Sequence, residues 1–428
     1  MTSGLTRRSF VQGAAGVSAA LATRGRILGA NDRINTAVIG LGTRGSYLFQ
    51  MALHRVSEKN DAALVALCDV YQARLSRAAK KAPEAKQYTH HQELLDRKDI
   101  DAVLIATPDH WHAPITLLAL NRGIDVYCEK PMTHTTEEAH EVAATALEKK
   151  RVMQVGVQAL SWARWHKIRD VIQAGTIGKV VAVQGTYSRN DPKGDWNWTI
   201  DPGAGPDAAG DGHIDWKQWL GAAPQRPFDA DRFFRFRKYW DYSGGIATDL
   251  HYHIVAPFHL AVENEHPVRV SGMGGRWIYD DGREVPDTFL TAADYPGKYS
   301  MMVQSSQVNE IGPLMLLRGT QATIHLGDEW EGPQGRNTNT ARIVPETPFV
   351  DEFRKKWGKD ELILDGVGNE GDQKHIDNFF DCVRSRQQTN CPPDLGNKVM
   401  TSIMLSVRSY RENRMFTVDP STGRITNG

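Results

Sequence analysis

A glycine-rich turn near the N-terminus has the spacing needed to hold the phosphates of a dinucleotide. Gly40, Gly42 and Gly45 follow the pattern Gly-x-Gly-x-x-Gly, with Thr43 and Arg44 between the last two glycines. The first glycine permits a tight turn, the second lets the backbone approach a pyrophosphate, and the third lets a strand and a helix pack closely. N–H groups at the start of the following helix favour the anion.

An acidic residue follows where the ribose of such a dinucleotide would lie. Asp69 ends the apolar run 63–68 and stands 24 positions past Gly45. Its carboxylate can accept hydrogen bonds from ribose hydroxyls, and it repels a 2′-phosphate. The sequence therefore predicts NAD as the cofactor, with NADP left open because Arg44 and Arg74 could offset the repulsion.

Asp249 and His253 have the spacing of a paired acid and base. On a helix, side chains four residues apart lie on one face, where the carboxylate could orient the imidazole and keep it basic. The alternative for a histidine in an apolar helix is a buried core residue. His251 and His253 also spell His-x-His, but on a helix the two rings diverge, so we predict no metal site.

The elements around these residues alternate between buried strands and helices. We predict strands at 34–39, 63–68, 102–105, 126–128 and 152–157, and helices at 46–54, 111–121 and 136–150. This alternation indicates a doubly wound parallel sheet, in which ligands bind beyond the carboxyl ends of the strands. The turns at those ends add candidate cofactor-binding residues: Thr107, Pro108, His112, Glu129, Lys130 and Gln158. A structural role for His112 in its helix stays open.

The second half of the chain predicts a sheet-rich domain. A strand at 184–190 leads into a loop at 191–212, residues 268–326 are typical of short antiparallel strands, and 375–384 predicts an amphipathic helix. Residues 328–370 carry no clear pattern. The basic and aromatic segment 232–242 could line a sugar cleft, contact a phosphate or form a dimer contact, and we favour the first. The candidate substrate-binding residues are Arg189, Trp198, Arg237, Tyr242 and His253.

Length and composition limit the classes of function. A chain of 428 residues is longer than a single hydrophobic core usually supports. We therefore predict two domains, at 31–155 and 156–428. Lys plus Arg and Asp plus Glu both number 51, so the net charge of zero argues against a nucleic-acid partner. The four cysteines form no Cys-x-x-Cys pair, and we expect buried thiols.

The first 30 residues resemble a twin-arginine export signal. Arg7 and Arg8 precede a Gly- and Ala-rich stretch that is too short and too mildly apolar to predict stable membrane insertion. We therefore expect a periplasmic protein, exported already folded, with cleavage before Asn31. The alternative is a basic N-terminus on a cytoplasmic protein.

Four motifs in chain order resemble the Gfo/Idh/MocA oxidoreductase family, the relatives of glucose-fructose oxidoreductase and inositol dehydrogenase. They are GLGTRG at 40–45, ATPDHWH at 106–112, CEKPM at 128–132 and GGIATDLHYH at 244–253. The resemblance spans residues 33 to about 420. It implies an N-terminal Rossmann domain and a C-terminal α/β domain with a large, mostly antiparallel open sheet, one face of which makes a homo-dimer or homo-tetramer. Many relatives have Asp where Ile254 stands, and Arg or Asn is frequent at the position of Gln158.

The resemblance also implies catalytic roles. It places Lys130 beside the nicotinamide and the reacting hydroxyl, and it matches Asp249 and His253 to the family's Asp and His. Oxidation of a carbinol needs a base for the hydroxyl proton and a donor that polarises the oxygen. His253 is our candidate base, with Lys130 as its rival and as the candidate donor.

These features predict an exported NAD(P)-dependent oxidoreductase acting on a sugar or glycoside carbinol. Because a dinucleotide does not cross membranes, no cytoplasmic pool would recycle the cofactor of an exported enzyme. We therefore expect a tightly held cofactor that regains its oxidation state within each catalytic cycle. One alternative is a glycosidase that works by transient oxidation and elimination. A non-catalytic sugar-binding protein on the same scaffold is the other.

Overall fold

A computed structural model describes residues 33–326, 340–366 and 369–427. The predicted export signal lies outside these residues. Two sheets form the core of the described part, and the cleft between their domains contains the motif residues identified above.

The N-terminal sheet has six parallel strands within the described ranges. They are β1 (Ile34–Ile39), β2 (Ala62–Cys68), β3 (Lys86–Tyr88), β4 (Ala102–Ile105), β5 (Asp125–Glu129) and β6 (Met153–Gly156). The spatial order is β3-β2-β1-β4-β5-β6, so the strand order reverses beside β1, where doubly wound sheets bind their ligands. Strands β4, β5 and β6 are buried throughout because helices cover both faces.

Six helices follow these strands in the chain. They are α1 (Thr43–Lys59), α2 (Gln72–Ala79), α3 (His91–Leu95), α4 (His112–Asn121), α5 (Thr136–Glu148) and α6 (Ala163–Gln173). Helix α5 begins with a capping box, in which Thr135 and Glu138 satisfy each other's backbone N–H groups. Helix α1 is longer than predicted because Arg55 is 2% exposed and bonds Asp61, which stabilises a last turn that looks polar in sequence.

The C-terminal sheet has nine strands among the residues that the structure describes. They are β7 (Val180–Gly185), β8 (Arg269–Gly275), β9 (Thr288–Asp294), β10 (Ser300–Ser306), β11 (Met315–Gly319), β12 (Ala322–Leu326), β13 (Thr340–Pro345), β14 (Leu362–Asp365) and β15 (Phe416–Thr417). The order is β14-β13-β12-β11-β7-β10-β9-β8-β15, antiparallel except for the parallel pair β7 and β10. The predicted fold class, a Rossmann sheet plus a mostly antiparallel open sheet, is confirmed.

Six further α-helices lie in the second half of the described chain. They are α7 (Trp216–Leu220), α8 (Ala230–Phe234), α9 (Tyr252–Ala261), α10 (Val350–Trp357), α11 (Gln373–Ser385) and α12 (Pro393–Glu412). Residues of α9 and α12 share one hydrophobic core with the sheet and with the Rossmann strands. Phe379 and Phe380 of α11 instead pack in the core formed by α1 and β1, so this late helix completes the first domain.

Three local predictions are corrected. The strand predicted at 184–190 begins at Val180 and ends at Gly185, because the chain then crosses towards the cleft. The patternless segment 328–370 contains β13, α10 and β14 in its described parts. The helix predicted from residue 111 begins at His112, after a 3-10 turn at Asp109–Trp111.

Candidate active site

A cleft of about 620 Å³ opens at the carboxyl ends of β1, β2, β4 and β5 and is closed on its other side by the second domain. This size suits a ligand larger than a simple sugar. Nearly all the predicted cofactor residues line it, and Gly45 lies directly behind the wall.

The glycine turn is too tightly packed for other residues. Gly40 has a φ of +86°, and a Cβ there would lie 2.6 Å from the carbonyl oxygen of Ala106. A Cβ on Gly45 would lie 1.9 Å from the carbonyl oxygen of Gly40. Helix α1 begins at Thr43 with no acidic residue in its first turn, so its free N–H groups face the cleft as an anion site.

Asp69 is held rigidly at the end of β2. Its carboxylate accepts hydrogen bonds from the backbone N–H of Leu41 at 2.6 Å and of Tyr71 at 2.8 Å, and the residue is 6% exposed. A carboxylate has about four acceptor positions, so capacity remains for ribose hydroxyls. The position fits the predicted role.

Unpaired polar atoms on the wall indicate a polar ligand. Thr107 Oγ1, Gln158 Oε1 and Arg44 Nη2 are buried and have no hydrogen-bond partner among the described residues. Buried polar groups left unpaired are costly, so a ligand that supplies their partners would be stabilised. Together with the open anion site at α1, these atoms fit a dinucleotide.

Arg44 is bound by protein carboxylates rather than left free for phosphate. Its Nε donates to Glu129 Oε1 at 2.7 Å and its Nη1 to Asp372 Oδ2 at 2.7 Å. Burial opposes the charge, but Glu129 and Asp372 raise the pKa of Arg44 above its ordinary value. Asp372 also accepts from Gln158 Nε2 at 3.3 Å, so the start of α11 holds both predicted residues in place.

His112 supports the wall of the cleft. Its ring nitrogens lie 2.5 Å from the Pro131 carbonyl oxygen and 2.9 Å from that of Thr107. Burial opposes protonation, yet Cys128, Asp109 and the Pro131 carbonyl raise the pKa of His112 to about 9. A ring that donates to two carbonyls ties the turns after β4 and β5 together, which favours the structural role.

The far end of the cleft from Asp69 contains a buried ion-pair cluster. Lys130 Nζ donates to the Asp249 carbonyl oxygen at 2.8 Å and to Asp249 Oδ1 at 2.7 Å. Arg237 Nε donates to the same Oδ1 at 3.0 Å, and Trp196 Nε1 donates to Oδ2 at 3.1 Å. Burial alone would raise the pKa of Asp249, but Lys130, Arg237 and Arg189 hold it well below its ordinary value.

His253 faces this cluster without an ion pair. Its ring stacks on Tyr187, with centroids 5.1 Å apart and planes 22° apart. Burial first, and then the nearby charge of Lys130, keep the pKa of His253 well below its ordinary value. The imidazole is therefore neutral at neutral pH and able to accept a proton.

Two family models match consecutive parts of the chain and together span more than half of it. One, an oxidoreductase family NAD-binding Rossmann fold, matches residues 34–157, and the other, an oxidoreductase family C-terminal alpha/beta domain, matches 163–276. The chain belongs to the Gfo/Idh/MocA oxidoreductase family. The resemblance identified from the sequence is confirmed, and the first domain is an NAD-binding Rossmann domain.

Curated relatives match part of the chain. The inositol 2-dehydrogenase of Salmonella typhimurium is 30% identical over 156 residues, 36% of this chain and 46% of that protein. The glycosyl hydrolase family 109 protein 1 of Shewanella sp. (strain ANA-3) is 28% identical over 209 residues, 42% of this chain and 45% of that protein. This chain thus spans less than half the length of either relative.

Solved structures match over nearly the whole length. A levoglucosan dehydrogenase in complex with NADH and levoglucosan has a TM-score of 0.67 at 16% identity, covering 90% of this chain and 99% of that chain. The WlbA dehydrogenase from Bordetella pertussis, in complex with NADH and UDP-GlcNAcA, has a TM-score of 0.64 at 17% identity, covering 90% and 99%. At these identities the likeness shows the fold.

The family's Asp and His are not joined in the way the sequence predicted. The spacing from Asp249 to His253 crosses from a π-helical turn, Ala247–His251, into α9, and no hydrogen bond joins these two described side chains. The π turn directs the carboxylate to Lys130, so the predicted orientation of the imidazole by this carboxylate is wrong, although the charge of Asp249 does raise the pKa of His253 as predicted. Tyr187, which the sequence did not single out, contacts His253 instead.

Segment 232–242 contributes both to packing and to the cleft wall, which includes Phe233, Phe234, Phe236 and Arg237. Arg232 bonds Glu284, and Lys238 is 1% exposed and pairs with Asp231. Among the described residues of this segment, Arg237 is the basic residue that lines the cleft. Three other predicted substrate-binding residues line the same cleft: Arg189, Trp198 and His253. The prediction that Tyr242 contacts substrate is wrong: its ring is fully buried against Trp219 and Tyr239.

A segment of the second domain covers the Asp69 end of the cleft. We call residues 199–236 the aromatic cap, because Trp219, Phe233 and Phe234 of this segment line the cleft there. The cap is anchored to the Rossmann domain: Gln72 N–H donates to the His213 carbonyl at 3.0 Å, and Asp215 N–H donates to the Val70 carbonyl at 2.9 Å.

The cap also fixes a cation beside the ribose position. Arg74 lies over the rings of Tyr71 at 5.5 Å, Phe233 at 5.1 Å and Phe234 at 5.9 Å. Trp111 Nε1 donates to the Trp219 carbonyl at 2.7 Å, which joins the cap to the turn after β4. The adenosine end of a bound dinucleotide would be enclosed by both domains.

The described residues contain no metal-ligand cluster, no membrane-spanning helix and no disulfide. No group of three or more His, Cys, Asp or Glu there could hold a metal ion, and no helix there is long and apolar enough to cross a membrane. All four cysteines lie within the described ranges, and each is a buried free thiol, as predicted. His251 is buried and bonds Thr291 Oγ1 at 2.9 Å.

Proposed function

We propose that this protein is an NAD-dependent oxidoreductase that oxidises a carbinol of a sugar or glycoside. The observation that carries the proposal is the juxtaposition of an ion-paired Lys130 and a neutral His253 on the cleft wall, at the end away from Asp69. When bound, NAD supplies the hydride acceptor; the residues of the chain supply binding, orientation and proton transfer.

Lys130 is the donor that polarises the reacting oxygen. Two of its three N–H groups are satisfied by Asp249, which leaves one for a substrate hydroxyl or the carbonyl formed from it. Because Asp249 holds the ammonium in place, this donor needs no reorganisation as charge develops on the oxygen.

His253 is the base that takes the hydroxyl proton. A general base must be unprotonated at the working pH, and burial keeps His253 neutral. The same lowered pKa makes it a weaker base, so proton transfer depends on Lys130 to acidify the hydroxyl. The stacking on Tyr187 fixes the plane of the ring, so its nitrogen can be presented to a hydroxyl held by Lys130.

The direct test is reduction of NAD by a panel of sugars, polyols and glycosides, with purified enzyme. We expect turnover that is lost in Lys130→Met and kept in Lys374→Met, which changes an exposed lysine of α11 that pairs with Glu370. Failure of every sugar in the panel to reduce bound or added NAD would contradict the proposal.

We also propose that the protein is exported to the periplasm and keeps its cofactor between turnovers. The Arg7-Arg8 signal supports export, and the aromatic cap supports retention because it encloses the adenosine end. Denaturing the purified protein and identifying the released small molecules by mass spectrometry tests retention. Stoichiometric NAD would support it, and absence of any nucleotide would contradict it.

A second candidate is a glycosidase that works by transient oxidation. The partial likeness to a glycosyl hydrolase family 109 protein favours it. Oxidation at C3 would acidify the C2 proton, so elimination could expel the aglycone. Release of nitrophenol from a nitrophenyl glycoside without net reduction of NAD would select this candidate over a net dehydrogenase.

We further propose a homo-dimer or homo-tetramer formed through the outer face of the C-terminal sheet. Helices cover the other face, and the outer face exposes apolar side chains, with Met273 60% and Ile363 45% exposed. Light scattering of the purified protein tests the state, and a monomer would contradict it.

A further inference from the structure

The substrate end of the cleft has an excess of positive charge. Lys130, Arg189 and Arg237 line its wall beside the carboxylate of Asp249, and the neighbouring carboxylate of Glu129 is paired with Arg44. The first three cations all act on the charge of Asp249. A partly buried cation without a counter-charge is costly, so this end of the cleft favours an anion.

Arg237 has N–H groups that are not used in hydrogen bonds within the described residues. Its Nε is bound to Asp249 Oδ1, and its guanidinium lies 5.1 Å over the Trp198 ring and 4.7 Å over Phe236. Its two Nη groups have no hydrogen-bond partner in the described part of the chain. The stacked rings hold the planar group still, and a planar guanidinium matches an oxyanion in two parallel hydrogen bonds.

Arg189 lines the cleft beside Arg237 and is paired with a carboxylate behind the wall. Its Nη1 lies 3.5 Å from Asp195 Oδ2, and its guanidinium lies 5.3 Å from the Tyr187 ring centroid. Asp195 is off the cleft wall, and its carboxylate also accepts from Gln307 Nε2 at 3.0 Å. Asp195 is therefore the counter-charge of Arg189, and together Asp195 and Asp249 leave one of the three cations at this end uncompensated.

We propose that the substrate is an acidic sugar, a uronic acid or its glycoside, whose carboxylate is bound by Arg189 and Arg237. The proposal rests on the proposed oxidation of a sugar carbinol at Lys130 and His253. One carboxylate supplies the single negative charge that this wall lacks, whereas a phosphate monoester would bring about two. Lys130 and Arg237 share one oxygen of Asp249, so a single sugar ring can reach the donor with its carbinol and the guanidinium with its carboxylate.

The test compares matched pairs that differ only at C6. Methyl glucuronide, galacturonide and mannuronide are each compared with the corresponding methyl glycoside, as substrates of the holoenzyme. We expect at least one uronide to exceed its neutral partner by about 10- to 100-fold in kcat/KM, the range for a hydrogen bond to a charged group. The KM of that uronide should rise with salt, and the KM of the neutral glycoside should not.

Variants assign the preference to the two arginines. Arg189→Gln and Arg237→Gln should each lower the ratio of uronide to neutral kcat/KM, and Arg237→Lys should restore part of it by keeping the charge without the planar fork. Arg269→Gln, on exposed β8, removes the same charge far from the cleft and should keep the ratio.

The outcomes separate this proposal from the proposed function. Turnover of neutral sugars with no preference for any uronide would overturn the acidic substrate and leave the oxidoreductase intact. A higher kcat/KM for hexose 6-phosphates than for uronides would overturn it as well. No turnover of either member of any pair would contradict the oxidoreductase itself.

Discussion

At one end of the cleft, Lys130, Arg237 and Asp249 form a cluster of charges. At the other end, Asp69 is anchored by backbone N–H groups and Arg74 lies among aromatic rings. The charged end presents a donor and a neutral imidazole to a reacting oxygen. The aromatic end presents an anchored carboxylate and an enclosing cap. The charged end thus carries out the reaction, and the aromatic end binds the cofactor. Variants at the charged end should lower kcat, and variants at the aromatic end should change nucleotide binding.

The largest effect is expected at Lys130. Replacement by Met removes the donor that polarises the oxygen and leaves Asp249 with less compensation, so kcat should fall about 10³-fold. The amount of NAD recovered from the denatured protein should be unchanged, since the aromatic end is intact. Rapid-mixing kinetics and nucleotide analysis measure the two quantities, and loss of bound NAD in this variant would break the comparison.

His253 is expected to matter next. His253→Gln keeps the ring's approximate size and a polar atom but removes the base, so kcat should fall about 10²-fold. Because the pKa of His253 lies well below 6.5, the neutral base persists as the pH falls, and wild-type kcat/KM should show no acid limb at 6.5. An acid limb at 6.5 that disappears in the variant would contradict the burial argument.

At the aromatic end, Asp69→Asn should change which nucleotide is used. The amide keeps an acceptor for one backbone N–H but removes the charge that repels a 2′-phosphate, so the NADP to NAD ratio of kcat/KM should rise about tenfold. Asp96→Asn, at an exposed aspartate paired with Arg122, is the matched control. An unchanged ratio in Asp69→Asn would show that Arg74 already sets the preference.

The smallest effect is expected in the cap. Phe234→Ala removes one ring beside Arg74 and Tyr71, and cofactor release should become about fivefold faster. Trp357→Ala removes a partly exposed ring on α10 and should leave release unchanged. Release is measured by trapping freed NAD with a second dehydrogenase, and equal rates in the two variants would contradict a retaining role for the cap.

The sequence predicted the nucleotide domain well because its signals are local. Gly40 and Gly45 are required by contacts within a few residues or with the adjacent strand, and the buried strands read as apolar runs. The second domain was harder, since its pairing joins distant segments, as in the parallel contact of β7 with β10. Helix α11 was predicted, but not that it returns to the first domain.

Within the site, residue types were predictable and their partners were not. Asp249 and His253 are four residues apart in sequence, but a π-helical turn changes their relative directions. The Asp249 carboxylate therefore bonds Lys130, and the His253 ring stacks on Tyr187. Tyr242 lies in the same aromatic segment as Arg237, but it packs on Trp219 away from the cleft. The composition of the segment does not show which of its side chains face the cleft and which pack in the core.

The central claim is that a carbinol held at Lys130 and His253 gives its hydride to NAD bound in the same cleft. The most direct measurement uses a substrate deuterated at the carbinol carbon, mixed with holoenzyme and quenched within one turnover. Mass spectrometry of the released nucleotide should show NADH heavier by one deuterium in the wild type and not in Lys130→Met. Consumption of substrate with bound nucleotide that never carries deuterium would contradict the account.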